Sequence, residues 1–331
     1  MNALTASSLV DQLRGAKPQS RLGIALAARP AHCRVAPSPT GFFHVGTARC
    51  ALHNALAAKA SGGSFMLRLD DTDAARNDPA HAALIDSCLD ALGIAPDSFA
   101  TQSSRAARHA QAALDLLAAG LAWRDPDGSV RLADAPIDAL GSSFFDLAAG
   151  DVGISATSRD QCRGLTLLRS NGSATYPMAS VCDDVDFGIN FVLRGADHLS
   201  NTPKQLAIAQ AMGMAGSAAA ADFVSGTVFA HVGLITKDGK KISKRDGGSS
   251  LLDVLAIAPP AAVLHWALRL GWSHPDSTFD RDWPRIDMAD MPSLFAQGRL
   301  RGANCDVSLA KLASLAKAYG RAQPSSSAPH P

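Results

Sequence analysis

The hydrophobic pattern is clearest at residues 33–57, where an apolar run precedes a proline- and glycine-rich loop and an alanine-rich segment. Residues 33–36 alternate like a short buried strand. Two prolines and Gly41 then predict a tight extended loop, because proline fixes φ and glycine permits turns that are barred to other residues. From Gly46 the alanine-rich run predicts a helix. The start of such a helix is a natural phosphate site, although an ordinary strand-to-helix turn has the same pattern.

A second apolar run, Ser64–Leu69, predicts the next parallel strand, and it ends in the acidic run Asp70–Asp73. Parallel sheets place ligand groups at the carboxyl ends of their strands, so these acids are candidate ligand residues. An Asx turn that caps the following helix is the structural alternative. Residues 79–92 have helical spacing and Gly93 ends that helix, which makes the alternation of strand and helix typical of an α/β fold.

The second half of the chain has weaker signals. Turn residues dominate 123–165, and Asn171-Gly172 between two β-like runs predicts a hairpin, because a type I′ turn needs positive φ at both central residues. Residues 213–221, rich in alanine and glycine, are expected to form an inserted flexible loop. Helices are expected at 106–120, 200–212, 261–271, 284–300 and 306–319.

Composition narrows the class of protein. The chain has 331 residues, 47% of them hydrophobic and 18% charged, and a net charge of +1, so any nucleic-acid surface must be local. The six cysteines lack CxxC spacing, which argues against a zinc site or a disulfide framework and favours a reducing cytoplasm. No apolar run of spanning length occurs, so we expect no membrane association.

Three segments together resemble the glutamyl-tRNA synthetases, which are class I enzymes. The opening of those enzymes is similar to Arg34-Val-Ala-Pro-Ser-Pro-Thr-Gly41. Their ATP-binding motif, called HIGH, is similar to the next segment, His44-Val-Gly-Thr47. Asn190–Pro203 follows another family segment. Lys241-Ile-Ser-Lys-Arg245 resembles the second ATP motif, KMSKS, at the family's spacing from the first.

The resemblance implies an α/β fold, with a Rossmann-type parallel sheet split by a short insertion and followed by a small all-helical module. The expected organisation is an N-terminal extension (1–30), the first half of the catalytic domain (31–100), a shortened connective insertion (101–166), the second half with the KMSKS-like loop (167–250), the helical module (251–321) and a disordered tail (322–331).

The activity that the resemblance implies is ATP-dependent conversion of glutamate to glutamyl-adenylate, with ATP and Mg²⁺ as cofactors and no zinc. His44, Lys241 and Lys244 would be catalytic. The residues that would bind ATP are His44, Gly46, Thr47, Asp197, Lys241, Ser243, Lys244 and Arg245. Those that would bind the amino acid are Arg34, Ala36, Ser38, Asp70, Tyr176, Ser180 and Arg194. Arginine suits this task because its planar fork matches a carboxylate.

The chain departs from the family pattern in ways that affect the expected acceptor. Asp70 and Ala196 stand where the glutamate enzymes usually have glutamate, and Ser180 stands where some relatives have asparagine. Asp70 and Ser180 would also admit a close analogue of glutamate, which is an alternative substrate. The insertion is short and has no zinc-binding cysteines, and the sequence ends where the family's anticodon-binding domain would begin. We therefore expect a truncated, monomeric family member.

Several functions stay open on this basis. The acceptor would be tRNA, or a modified tRNA base as in the glutamyl-queuosine enzymes, with a small amine or carrier protein as the alternative. A relative of pantothenate synthetase would share the ATP site but not the set of Arg34, Tyr176 and Arg194. A non-enzymatic regulatory paralogue is disfavoured, since both ATP motifs retain their functional side chains.

Overall fold

The computed structural model describes residues 6–72, 76–237, 239–241, 250–276 and 288–322. The described strands are β1 (His32–Val35), β2 (Ser64–Leu69), β3 (Ser98–Thr101), β4 (Ala122–Arg124), β5 (Val130–Leu132), β6 (Ser143–Asp146), β7 (Gly150–Gly153), β8 (Thr166–Leu168), β9 (Phe191–Gly195), β10 (Val228–Val232), β11 (Ile235–Lys237), β12 (Lys240–Lys241), β13 (Trp272–Ser273), β14 (Arg299–Leu300) and β15 (Cys305–Asp306). The described α-helices are α1 (Ala6–Gly15), α2 (Arg21–Ala28), α3 (Val45–Ser61), α4 (Pro79–Ala91), α5 (Ala106–Ala118), α6 (Ala135–Asp138), α7 (Ala156–Asp160), α8 (Tyr176–Asp186), α9 (Thr202–Met214), α10 (Ala218–Gly226), α11 (Leu251–Leu255), α12 (Pro260–Arg269), α13 (Met291–Gln297) and α14 (Leu309–Ala322). Short 3₁₀ segments lie at Ser103–Arg105, Ala196–Asn201 and Met288–Asp290.

A seven-stranded sheet with the order β3-β2-β1-β9-β10-β6-β7 lies at the centre of the fold. All neighbouring pairs are parallel except β6 and β7, which are antiparallel at one edge. The chain runs outward from β1 to β2 and β3, and the strands on the other side of β1 come from later in the sequence. The gap between β1 and β9 is therefore a topological switch point, where doubly wound sheets bind ligands. The expected Rossmann-type sheet is confirmed.

The predicted strand, loop and helix at the start of the domain are confirmed as β1, the following loop and α3. Helix α3 is apolar on nearly all sides because it lies between the sheet and the helical part, and alanine fits this close packing. It ends at Gly62, whose φ of 68° is the left-handed conformation that glycine adopts without strain. Gly63 then passes so close to β1 that a Cβ would lie 2.0 Å from the Ala31 carbonyl oxygen.

The N-terminal segment folds onto the rest of the molecule. Helices α1 and α2 bury Leu13, Leu22 and Leu26 in the same core cluster as α3. Helix α2 packs against α13 and α3, and α1 packs against α10. The segment predicted as an extension ahead of the first strand thus forms part of the core.

The segment predicted as an insertion, residues 101–166, contributes to two sheets. Strand β5 pairs with β4 on one side and with β8 on the other in a small antiparallel sheet. Strand β6 instead joins the central sheet beside β10, with Asp146 opposite Phe229. This turn-rich segment carries no periodic signal for its short strands, because each has only three or four residues.

Other local predictions meet different outcomes. The loop expected at 213–221 was wrong, because α9 continues to Met214 and α10 begins at Ala218. Ser217 caps α10 by accepting a hydrogen bond from the Ala220 amide. The turn at Asn171-Gly172 forms, with φ of 80° at Gly172, but its second arm is a single bridge at Ala174 before α8 begins.

The helical part is confirmed, with the two-residue strands β13, β14 and β15 in addition. The predicted tail falls almost wholly outside the described residues. Within the described ranges no helix is long and apolar enough to cross a bilayer.

Candidate active site

A cavity of about 390 Å³ opens at the switch point between β1 and β9. Its walls are the loop after β1, the first turn of α3, the residue after β2, the start of α8 and the end of β9. The lining includes Arg34, Ala36, Ser38, His44, Gly46, Thr47, Asp70, Tyr176, Arg194 and Asp197, which are predicted site residues. The structure therefore brings together residues that are far apart in the sequence.

The loop between β1 and α3 is held in place by backbone hydrogen bonds. The Asp70 amide donates to the Pro37 carbonyl at 3.0 Å, and the Leu251 amide donates to the Phe43 carbonyl at 3.0 Å. His44 is the N-cap residue of α3 and is exposed at the cavity. A Cβ at Gly46 would meet only the His44 ring, at 3.8 Å, so the space beside the helix start is open to a ligand. A long helix that begins at a cavity presents unpaired amides to an anion.

Two arginines near the cavity floor share two carboxylates. Arg34 donates from Nε to Asp184 Oδ1 at 3.1 Å and from Nη2 to Asp184 Oδ2 at 3.2 Å. Arg68 donates from Nε to Asp70 Oδ1 at 2.7 Å and from Nη1 to Asp184 Oδ1 at 2.7 Å. Burial opposes ionisation of Asp184, but the two guanidinium groups outweigh it and lower the pKa of that carboxyl. The two positive and two negative charges balance.

Arg68 was not predicted as a site residue. The one signal that the sequence offers is a charged residue inside the apolar run Ser64–Leu69, since such a residue is rarely buried unless it is paired. It is 1% exposed and ties Asp70 to Asp184. Asp183 also lies 3.9 Å from Arg68, although its closer partners are Arg105 and His109.

Arg194 differs from these arginines because its partners are neutral. It is 8% exposed, and it donates from Nε to His231 Nε2 at 3.0 Å and from Nη2 to Thr202 Oγ1 at 2.9 Å and Gln205 Oε1 at 2.6 Å. Among the described residues no carboxylate lies within ion-pair distance of it. Burial lowers the pKa of Arg194 to about 10, so the side chain stays protonated at neutral pH. An uncompensated buried cation beside a cavity is typical of an anion site.

Ser180 does not line the cavity, although it was predicted to bind the amino acid. Its hydroxyl lies behind the arginines, where it accepts from Arg68 Nη2 at 3.4 Å and from Gln205 Nε2 at 3.1 Å. It therefore links Arg68 to Gln205, which is a partner of Arg194. The backbone position one helical turn earlier on α8 belongs to Tyr176, which does line the cavity.

His198 and Arg49 line the cavity and were missed as site residues. His198 Nδ1 lies 3.4 Å from the Tyr176 hydroxyl, and burial lowers the pKa of His198 to about 4, so the ring is neutral near pH 7. Arg49, on α3, donates from Nη1 to the Gly233 carbonyl at 2.8 Å. His198 sits within the segment Asn190–Pro203 that resembles the family, and Arg49 follows the HIGH-like motif directly.

The KMSKS-like motif lies mostly outside the described residues. Ser243, Lys244 and Arg245 are not among them, and only the backbone of Lys241 is described, paired with Thr236 between β12 and β11. Both described flanks of the motif reach the cavity, since Ile235 and Ser250 line it and Ser250 pairs with His44. The roles predicted for the motif stay predictions.

Metal ligands are not clustered in the described part of the chain. No group of three or more histidine, cysteine, aspartate or glutamate residues there is arranged to hold a metal ion. All six cysteines are free thiols.

A parallel sheet that carries a cavity, a helix start and a buried arginine at its switch point is typical of nucleotide-binding α/β domains. The family model described as tRNA synthetases class I (E and Q), catalytic domain, matches residues 30–135 and 129–281. This chain therefore belongs to that family of class I tRNA synthetases.

Two relatives illustrate the similarity. Glutamate–tRNA ligase 2 of Neorickettsia sennetsu is 38% identical over 263 residues, which cover 79% of this chain and 60% of the relative. Glutamate–tRNA ligase 2 of Ruegeria pomeroyi is 40% identical over 298 residues, with 77% of this chain and 61% of the relative covered. The chain thus spans about three fifths of the length of the curated relatives that it matches.

Among solved structures, a glutamate tRNA ligase from Elizabethkingia meningosepticum in complex with its amino acid superposes with a TM-score of 0.74. The sequences are 22% identical, and the match covers 89% of this chain and 70% of that chain. This likeness supports the fold assignment.

Proposed function

We propose that the protein activates glutamate with ATP to form glutamyl-adenylate and then transfers the glutamyl group to tRNA. The observation that carries the proposal is Arg194, a buried cation at the cavity whose hydrogen-bond partners are neutral. The similarity to glutamate–tRNA ligases supports the same substrate.

Charge balance supports an acidic side chain in the cavity. Arg34 and Arg68 are already compensated by Asp70 and Asp184, whereas the carboxylate nearest to Arg194 in the hydrogen-bond chain, Asp146, is separated from it by the His231 ring. The γ-carboxylate of glutamate would pair with Arg194. A neutral side chain such as that of glutamine would leave the guanidinium poorly paired, at a cost of about 2–5 kcal/mol.

The α-amino and α-carboxylate groups would then lie toward the loop after β1. We propose that Ser38, Asp70 and Tyr176 hold the amino group, since all three line the cavity. Arg68 holds Asp70 by two hydrogen bonds, at 2.7 and 3.3 Å, and this fixes where the amino group binds. Asp70 is one methylene shorter than glutamate, and the bidentate contact with Arg68 compensates by fixing its position.

Activation joins the two substrates without a covalent enzyme intermediate. An α-carboxylate oxygen of glutamate attacks the α-phosphorus of MgATP, a new P–O bond forms, and the bond to the bridging oxygen breaks as magnesium pyrophosphate leaves. The chain's task is to hold two anions together and to neutralise the charge that grows between them. His44 and the start of α3 serve the phosphates from one side. From the sequence we assign the opposite side of the phosphates to Lys241, Ser243, Lys244 and Arg245.

We propose that this reaction takes place in the cytoplasm, in a monomer. The six free thiols support a reducing compartment. Size-exclusion chromatography with light scattering checks the monomer, and a mass near 68.6 kDa, twice the chain mass of 34.3 kDa, would contradict it.

The test is exchange of labelled pyrophosphate into ATP with single amino acids, in the presence and absence of total tRNA. We expect exchange that depends on glutamate, with glutamine and aspartate at least tenfold less efficient as judged by kcat/KM. Exchange that needs tRNA keeps the proposal, because some synthetases activate only with tRNA bound. No exchange with any acidic amino acid under either condition overturns it.

Transfer is tested separately with labelled glutamate and acid precipitation of tRNA. We expect label on tRNA that is released by mild base, as an ester is. Strong exchange without charging of any tRNA would contradict the tRNA half of the proposal and would favour a small amine or a carrier protein as the acceptor.

A further inference from the structure

Arg194 is the end of a buried hydrogen-bond chain that crosses three neighbouring strands. Asp146 on β6, His231 on β10 and Arg194 on β9 form this chain, which we call the Arg194 relay. His231 lies directly opposite Arg194 in the register of β9 and β10. Asp146 is 0% exposed and His231 is 1% exposed, and neither lines the cavity.

The contacts fix the tautomer of His231. Arginine has only donors, so His231 Nε2 must accept the hydrogen bond from Arg194 Nε at 3.0 Å. The proton of the neutral ring is then on Nδ1, which donates to Asp146 Oδ2 at 2.7 Å. Burial, with a contribution from Arg194, lowers the pKa of His231 against the influence of Asp146, and this favours the neutral ring that the geometry requires.

Asp146 is itself held rigidly by the backbone. Its Oδ2 accepts from the His231 amide at 2.9 Å, and its Oδ1 accepts from the Ala148 and Ala149 amides, both at 2.9 Å. The carboxylate therefore cannot turn away from the ring without losing several hydrogen bonds. Since a charged group fixed in this way holds the imidazole in one orientation, the ring presents a fixed acceptor to Arg194.

The relay leaves one nitrogen of the guanidinium, Nη1, for a ligand. Nε is bound to His231, and Nη2 is bound to Thr202 and Gln205. Among the described residues no hydrogen bond is made by Nη1, and the side chain lines the cavity. Arginine has many rotamers, so an unsupported guanidinium would lose entropy on binding a carboxylate, whereas one held at two nitrogens has already lost it.

We propose that Asp146 and His231 are positioning residues that aim Arg194 at the side-chain carboxylate of the substrate and thereby set the preference for glutamate over glutamine. This inference rests on the proposed function, because it takes glutamate as the substrate. It goes beyond it by assigning substrate selectivity to two side chains that do not touch the cavity. A buried aspartate–histidine pair that only stabilised the core would be replaceable by apolar side chains without effect on selectivity.

Two substitutions at one position separate positioning from packing. In His231→Gln the longer amide places an oxygen near the former Nε2, where it accepts from Arg194. In His231→Asn the shorter amide reaches toward Asp146 and leaves Arg194 Nε without an acceptor. We expect H231N to raise KM for glutamate about tenfold or more, with KM for ATP unchanged, and H231Q to stay within a few-fold of the wild type.

Asp146→Asn tests the far end of the relay without touching Arg194. The substituted amide donates to the ring as readily as it accepts, so the ring can adopt the tautomer with its proton on Nε2, which opposes the Arg194 donor. We expect D146N to reproduce the raised KM for glutamate and to lower the ratio of kcat/KM for glutamate to that for glutamine about tenfold. His265→Asn, a buried histidine on α12 remote from Arg194, is the matched control and should leave both values unchanged.

The tautomer of His231 can be measured on the wild-type protein, so this test does not depend on whether a variant folds. Nitrogen-15 NMR of histidine-labelled protein distinguishes a protonated from an unprotonated ring nitrogen, and we expect His231 with its proton on Nδ1. A proton on Nε2 overturns the inference, as does a KM for glutamate in H231N and D146N equal to that of the wild type. A failure of the proposed function gives a different result: the wild-type protein catalyses no exchange with glutamate although His231 has the expected tautomer. That result overturns the glutamate selectivity assigned to the relay.

Discussion

At the scale of single residues, the three buried arginines of the cavity differ in the charge of their hydrogen-bond partners. Arg34 and Arg68 bind carboxylates of the protein itself, which makes them part of a neutral cluster that shapes the site. Arg194 binds neutral groups, so no ion pair among the described residues compensates its charge. Because a guanidinium gains most from a fork-like contact with a carboxylate, lysine would not replace Arg34 or Arg68 well.

His44 gives the prediction at this scale. His44→Ala is expected to lower the rate of glutamate-dependent exchange about a hundredfold, since removal of one transition-state donor typically costs about 10²–10³ in rate. The side chain is exposed, so the melting curve followed by circular dichroism should match the wild type. Lys244→Ala is expected from the sequence to act in the same way.

The matched control is His81→Ala, which removes a partly buried histidine on α4 that does not line the cavity. Its ring packs edge-on against Phe42, which does line it. The exchange rate of this variant should stay within a few-fold of the wild type. Wild-type activity in His44→Ala would show that the helix start does not act on the phosphates.

At the scale of elements, a tight contact at Trp272 holds β13 against α13 within the helical part. Trp272 is 1% exposed, stacks with Phe295 of α13 at 6.2 Å between ring centroids, and donates from its indole nitrogen to the Phe295 carbonyl at 3.0 Å. Gly298, which ends α13, lies against the indole ring. A Cβ there would lie 2.2 Å from ring atoms of Trp272.

Gly298→Ala is therefore expected to destabilise the protein by about 1–3 kcal/mol, which is the usual cost of an overpacked core. Its backbone angles are extended and open to any residue, so the cost comes from the clash alone. Urea unfolding followed by tryptophan fluorescence measures the free energy of unfolding. Gly153→Ala in β7, where nothing lies within 4 Å of an added Cβ, should change it by no more than about 0.5 kcal/mol. Equal stability of the two variants would contradict the packing at Trp272.

For the whole molecule, buried histidines determine how stability depends on mild acid. Burial lowers the pKa of His53 and of His265 to about 3 and that of His198 to about 4. The unfolded chain takes up these protons near pH 6.5 and the folded protein does not. The stability that they contribute is therefore fully present above about pH 6.5 and is lost as the pH falls toward about 3.

His53→Gln tests this dependence at one site. His53 is fully buried on α3. Because the unfolded chain takes up a proton at this residue, the free energy of unfolding should fall by about 1.4 kcal/mol for each pH unit below about 6.5 on account of His53 alone. The free energy of unfolding, measured by urea titration at about pH 7.5, 6.0 and 5.0, should fall less steeply in the variant than in the wild type. An exposed histidine has no such effect, so parallel slopes would mean that His53 titrates normally in the folded protein.

The local sequence by itself determined the elements with strong signals. Alternation predicted β1 and a short apolar run predicted β2. An alanine-rich run predicted α3, with His44 and Gly46 at its start, and helical spacing with an ending glycine predicted α4. These features depend on neighbours within a few positions, so a pattern of residue types suffices. The helix α10 was missed because an alanine- and glycine-rich run is compatible with both loop and helix, and only the cap at Ser217 and burial of Ala220 and Phe223 decide between them.

Only the tertiary structure decided which charges are compensated. Arg68 meets Asp184 across 116 residues of sequence and Asp146 meets His231 across 85, and β6 joins the sheet from within a segment that lacks a periodic pattern. Ion pairs and hydrogen bonds act over a few ångströms, and chain separation carries no information about which partners come that close. The sequence could therefore name Arg34 and Arg194 alike as carboxylate-binding residues, whereas the fold pairs Arg34 with Asp184 and Arg194 with neutral groups.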